Sequence, residues 1–187
     1  SYSFIGAADA LHKNFFGWDA IPLQNPIRRE SSHLRHSLAP GIAKSAEDNR
    51  RFYERVQMFE IGKVFGMKKN AAQERLFFGI GLAAKHDARV ALELKGIVDE
   101  FLKGMGLLEY SFNEVHHALR IESGRHILGV IAVHAYHGKQ WHAAVAEIDA
   151  EKLLSLAEGA KEFEPLSRYP AVIRDISMLV NQEVRIG

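Results

Sequence analysis

The chain has 187 residues, 47% hydrophobic and 25% charged, which suits one globular domain or one domain and the opening of another. It contains no cysteine, which excludes thiolate chemistry and cysteine-ligated zinc. Its 24 basic and 23 acidic residues leave a net charge of +1, too small for bulk electrostatics to drive nucleic-acid binding. No apolar run approaches the roughly 20 residues that span a bilayer, and no signal-peptide pattern is present. No membrane contact and a cytoplasmic location are therefore expected. The chain has no initiating Met and stops at Arg185-Ile186-Gly187, so a piece of a longer protein is expected too.

In chain order, Ala7 to Gly17 places Leu11, Phe15 and Phe16 at helical spacing before a glycine stop, which predicts a helix. Asn25-Pro26 marks an extended turn, because proline pushes the residue before it out of the α region. Pro40-Gly41 opens a second helix, read over Ile42 to Phe52, since proline is tolerated where the first-turn N–H groups lack partners anyway. Val56 to Phe65 and Arg75 to Ala84 read as strands, with an exposed hairpin loop from Gly66 to Glu74 between them. Gly62 inside the first strand marks either a bulge or a close backbone approach. Leu92 to Met105 carries Leu94, Ile97, Val98, Phe101 and Leu102 on one helical face. Short strands follow at Tyr110–Phe112, Ala118–Ile121, Ile127–Val133 and Trp141–Ile148. Asp149 then caps a helix over Lys152 to Glu158 by accepting first-turn N–H groups. Pro165 and Pro170 bracket a linker before a last strand over Ala171 to Val180. The order of elements is α+β with an antiparallel sheet as scaffold.

One succession carries more than secondary structure. Leu34-Arg35-His36-Ser37-Leu38-Ala39-Pro40-Gly41 precedes a helix with Asn49 near its end, and Phe59-Glu60-Ile61-Gly62-Lys63-Val64-Phe65 follows. Together with Asn25-Pro26 upstream, this resembles the β subunit of bacterial phenylalanyl-tRNA synthetase. Ser1-Tyr2-Ser3-Phe4, Leu94-Lys95-Gly96, Gly129-Val130-Ile131 and Tyr169-Pro170-Ala171-Val172-Ile173-Arg174-Asp175 extend the likeness along the chain. The resemblance implies a class II synthetase-like antiparallel sheet flanked by helices over residues 1–165. Residues 166–187 would be a linker and first strand leading toward a C-terminal anticodon-binding-type domain. It also implies an α-subunit partner, contact with tRNA(Phe) through the whole complex, and an αβ heterodimer paired into a heterotetramer. ATP and Mg are expected for the whole enzyme, and no cofactor for this segment.

A catalytic class II site follows its Gly-x-Val-Phe strand with an arginine that pairs with the ATP α-phosphate and the amino-acid carboxylate. Here Phe65 is followed by Gly66-Met67-Lys68, and no glycine-rich run followed by arginine appears later. The resemblance therefore implies a catalytically silent copy. The residues carrying the family pattern are Asn25, Pro26, Leu34, Arg35, Pro40, Gly41, Asn49, Phe59, Glu60, Gly62 and Phe65, all in a structural capacity.

Other constellations in the chain point to chemistry less strongly. His134, His137 and His142 have zinc-ligand spacing, but strand alternation would scatter their rings, which favours ordinary exposed or hydrogen-bonded histidine. Ser37 beside His36 lacks a nucleophile elbow, and Gly79-Ile80-Gly81 is only a fragment of a dinucleotide fingerprint. Glu60 in an apolar strand either faces solvent or pairs with a base such as Arg35, and pairing is favoured. Phe101, Leu102 and Met105, like Phe15 and Phe16, read either as core or as a subunit interface. A stand-alone binding module that reuses the fold is the competing functional class.

Overall fold

The computed structural model describes residues 3–10, 14–116, 118–135 and 140–157. Six strands form one antiparallel sheet. β4 (Arg55–Lys68) and β5 (Ala71–Lys85) make a long hairpin. β6 (Ser111–Val115), β7 (Ala118–Ser123) and β8 (His126–Ala135) make a meander, and β9 (Trp141–Asp149) inserts between the two groups. The order across the sheet is β4-β5-β9-β8-β7-β6. A smaller antiparallel trio lies beside it, with β3 (His33–Leu34) between β1 (Phe4–Ile5) and β2 (Ile21–Pro22).

Three further helices join the short α1 (Ala7–Ala10): α2 (Ala39–Asn49), α3 (Val90–Gly104) and α4 (Ala150–Leu156). Strand alternation sorts the sheet's side chains into two faces. Phe78, Ile80, Leu82 and Ala84 of β5, with Ala144, Ala146 and Ile148 of β9, meet α3. Leu94, Val98 and Leu102 of that helix are wholly buried against them. Each fully buried Leu or Val contributes roughly 1.5–3 kcal/mol, so this seam dominates the core. Val64, Phe77 and Val145 face the other way and receive Ile42 from α2 and Leu38 from just before it. Gly79 and Gly81 lie under Ile42, where a Cβ on either glycine would collide with its side chain. The two glycines therefore set how closely α2 approaches β5, and this is the role of the Gly79-Ile80-Gly81 run.

The predicted elements need four corrections. The stretch from Gly66 to Glu74 is not a loop. Both strands continue through it, and the turn is only Lys69-Asn70, both at positive φ (49° and 63°). That is the geometry of a two-residue hairpin whose twist matches its strands. Of the helix predicted over Ala7 to Gly17, Ala7–Ala10 is helical, 11–13 lie outside the described residues, and 14–19 form a loop built on the Asn14 side chain. The second helix starts at Ala39 and ends at Asn49, where the Asn49 carbonyl accepts from Phe52 N and Tyr53 N and turns the chain into β4. The helix after Asp149 runs over Ala150–Leu156, with the Asp149 carboxylate accepting from Lys152 N at 3.0 Å. The strand predicted over 171–180 and the domain boundary near 165 lie outside the described residues.

Candidate functional site

The motif residues converge where the segment before α2 runs along the outer edge of β4. Arg35 is the hub. Its backbone N–H donates to Ser3 O at 2.9 Å, and its carbonyl accepts from Phe65 N at 2.8 Å. Its guanidinium donates to Lys63 O at 2.9 Å and to Glu60 at 2.5 Å. The two side chains are only 10% and 19% exposed, so the pair is largely shielded from water and screened little. Gly62 explains the path: a Cβ there would collide with the Arg35 guanidinium as it stands, so the glycine leaves the arginine room to cross the strand to Glu60. Of the two readings of Gly62, a close approach is the correct one, and Glu60 is paired rather than solvated.

Two residues on, the chain meets a carboxylate that the sequence reading missed. Glu147, in the central strand β9, accepts from Leu38 N at 2.6 Å and from the Ser37 hydroxyl at 2.8 Å. It thereby satisfies N–H and O–H groups at the entry to α2, where no helical partner exists. Glu147 is wholly buried, and burial pushes its carboxyl up to about 7. The two hydrogen bonds and the nearby Arg35 charge pull the other way without compensating. A glutamate in the apolar run Ala143-Ala144-Val145-Ala146-Glu147 was the available signal, of the same kind as Glu60 in β4.

Position 66 is filled from the opposite direction. A Cβ on Gly66 would stand 2.8 Å from Trp18 Cβ and 3.1 Å from Asp19 O. Asp19 and Met67 exchange both backbone hydrogen bonds, at 3.0 and 2.8 Å, which locks this loop to β4. Asn14 organises the loop internally: its carboxamide oxygen accepts from Phe16 N and Trp18 N, and its Nδ2 donates to His36 O at 2.6 Å. The Phe16 and Phe77 rings meet at 4.9 Å, and Trp18 packs on both.

The remaining predicted residues are dispersed. Asn25 and Pro26 are exposed in the turn after β2, and Asn49 caps α2 internally by donating to Ser45 O. Leu34 sits in β3, while Pro40 and Gly41 occupy the first turn of α2. Those two residues also border a cleft of about 330 Å³ that includes Arg35, Ser37 and Lys44. Phe59 is 72% exposed on the α3 side of the sheet. Of the residues read as core or interface, Leu102 is wholly buried. Phe101 is half-buried and stacks on Phe78 at 4.6 Å, and Met105 packs against the same core. Phe15 and Phe16 are half-buried. Among the described residues no three His, Asp or Glu side chains gather as a metal site; His137 lies outside them. No helix among them is long and apolar enough to cross a membrane.

The model of the "Phenylalanyl tRNA synthetase beta chain CLM domain" matches residues 1–126. The chain belongs to this phenylalanyl-tRNA synthetase β-chain family. Curated relatives include phenylalanine–tRNA ligase β subunits. That of Fusobacterium nucleatum subsp. nucleatum is 26% identical over all of this chain and 27% of its own length. Those of Geobacillus kaustophilus and Pseudomonas savastanoi pv. phaseolicola are each 30% identical, over 90% and 98% of this chain and 24% and 26% of theirs. The chain thus spans about a quarter of the relatives it matches. Among solved structures, two of pyrrolysyl-tRNA synthetase from Desulfitobacterium hafniense share the fold. Their TM-scores are 0.63 and 0.65, at 17% and 15% identity, over 82% and 86% of this chain and 60% and 66% of theirs. The synthetase β-chain segment is therefore an α+β, class II synthetase-like antiparallel sheet flanked by helices. In it Arg35, Glu60, Gly62 and Phe65 come together, while Asn25, Pro26, Asn49 and Phe59 stand apart.

Proposed function

We propose that this segment is a non-catalytic, structural part of the β subunit of phenylalanine–tRNA ligase. In this reading it docks with the catalytic α subunit in a cytoplasmic complex, a heterotetramer that joins phenylalanine to tRNA(Phe) with ATP and Mg. The observation that supports it best is position 66. A catalytic class II site needs an arginine there, and this chain has a glycine with Trp18 packed onto it. Catalysis by an electrostatic clamp requires a cation aimed at the developing charge. The Arg35 guanidinium is instead committed to Glu60 and the Lys63 carbonyl.

A docking role is supported by apolar surface on the α3 side of the sheet. Phe59, Ile61 and Ile97 are 72%, 61% and 37% exposed and lie near the half-buried Phe101. Contiguous exposed apolar residues of this kind mark association surfaces. Two measurements test the reading. The chain alone should show no phenylalanine-dependent pyrophosphate exchange, and robust exchange would overturn the non-catalytic part. The full β protein should co-purify with α; failure to do so would favour a stand-alone binding module instead.

A further inference from the structure

We infer that residues 14–19 are a built-in plug that turns the face of the sheet around Gly66 into hydrophobic core, with Asn14 as its positioning residue. The inference rests on the non-catalytic reading of position 66 and goes further. The missing arginine is then not a vacancy in an otherwise open site, because the space beside it is occupied.

The loop has few means of holding itself. No helix or strand runs through 14–18, so its order comes from one side chain and a short backbone bridge. Asn14 is 9% exposed and makes three directed bonds, two within the loop and one to His36 O, on the segment that carries Arg35 and Ser37. Asn14 N donates to Trp18 O, and Gly17 N to Asn14 O, which closes the loop on itself. These bonds aim Trp18, only 5% exposed, at Gly66, Val64 and Phe77. Phe16 seals the flank, with the Lys152 ammonium over its ring at 5.4 Å and Lys68 Nζ donating to its carbonyl. A ligand phosphate brought to position 66 would therefore meet the packed Trp18 and Phe77 side chains where a catalytic site needs an arginine.

The chain has two tryptophans, so Trp141→Phe leaves Trp18 as a single reporter. In that background Trp18 emission should be blue-shifted, weakly quenched by acrylamide and unchanged by millimolar ATP–Mg. Asn14→Ala should red-shift it and raise the quenching constant at least twofold. A saturable Trp18 response to ATP–Mg would overturn the plug, as would unchanged emission in Asn14→Ala. If Asn14→Ala does not fold, Gly66→Ala reads the same contact, and unchanged Trp18 emission there would be equally fatal. Loss of α-subunit binding, by contrast, would count against the ligase reading and leave the plug intact.

Discussion

Glu147 ties the stability of this fold to pH in a way that one substitution isolates. Its carboxyl titrates near 7 in the folded chain, against about 4.5 when solvated. Below about pH 4.5 both states hold the proton, and the contribution from this group is fully present. Between about 4.5 and 7 the unfolded chain has released its proton while the folded chain retains it. Raising the pH therefore withdraws stability across that window, and the loss is complete above about 7. A gap of that width corresponds to about 3 kcal/mol, or on the order of 6–12 °C in Tm for a domain this size. Glu147→Gln keeps the shape, an acceptor for Leu38 N and a group able to bond the Ser37 hydroxyl, but cannot ionise. Urea unfolding of both proteins at half-unit intervals from pH 4.5 to 8 should show the variant gaining on the parent as pH rises. The difference should level off above about pH 7. Parallel stability–pH curves for the two proteins would refute the reasoning, since histidines and surface carboxylates are common to both.

Further outcomes follow from other parts of the site. Gly66→Ala puts a methyl against Trp18 and Asp19 and should destabilise by roughly 1–3 kcal/mol in chemical denaturation, the cost of overpacking a filled core. Arg35→Ala should cost about 2–4 kcal/mol, because it strands a largely shielded Glu60 and removes the donor to Lys63 O; an equilibrium unfolding loss below 0.5 kcal/mol would contradict this. Asn70→Gly should stabilise by about 0.5–1 kcal/mol in thermal melts, since residue 70 has φ 63° in the two-residue turn and glycine carries no Cβ penalty there. Phe59→Ser with Ile61→Ser should change stability by less than about 0.5 kcal/mol per site while weakening α-subunit capture, read by co-purification.

How much was legible depended on whether local pattern or distant contact decided the outcome. α3 was readable because Leu94, Val98 and Leu102 repeat at helical spacing and are the residues that become buried. The Asp149 cap was readable because a cap is local chemistry. The far end of the β4–β5 hairpin was misread as loop. β5 pairs with β9 only from Phe77 to Lys85, so 66–76 lie largely beyond the third strand and carry polar residues on both faces. The Asn14 loop was misread as helix because Phe15 and Phe16 mimic helical spacing, while side-chain bonds to Phe16 N and Trp18 N outcompete helical ones. At the site, the Arg35–Glu60 pair was anticipated from a charge inside an apolar strand. The same reasoning applied to Glu147 but lacked a visible partner, since Ser37 is 110 residues away. The departure at Gly66 was plain in the sequence; that Trp18 fills the space was not, because only the folded chain brings 18 and 66 together.

The sheet's connectivity bears on how the protein is made. The hairpin of β4 and β5 can zip locally, yet the other side of β5 pairs only with β9, whose residues 141–149 are translated much later. At ribosomal rates of roughly 5–20 residues per second, the inner edge of β5 waits several seconds for its partner. During that interval Phe77 to Lys85, an apolar run with open backbone donors and acceptors, is the segment most in need of chaperone shelter. Slowing translation between residues 86 and 140 should therefore lower the soluble yield more than slowing it after 149.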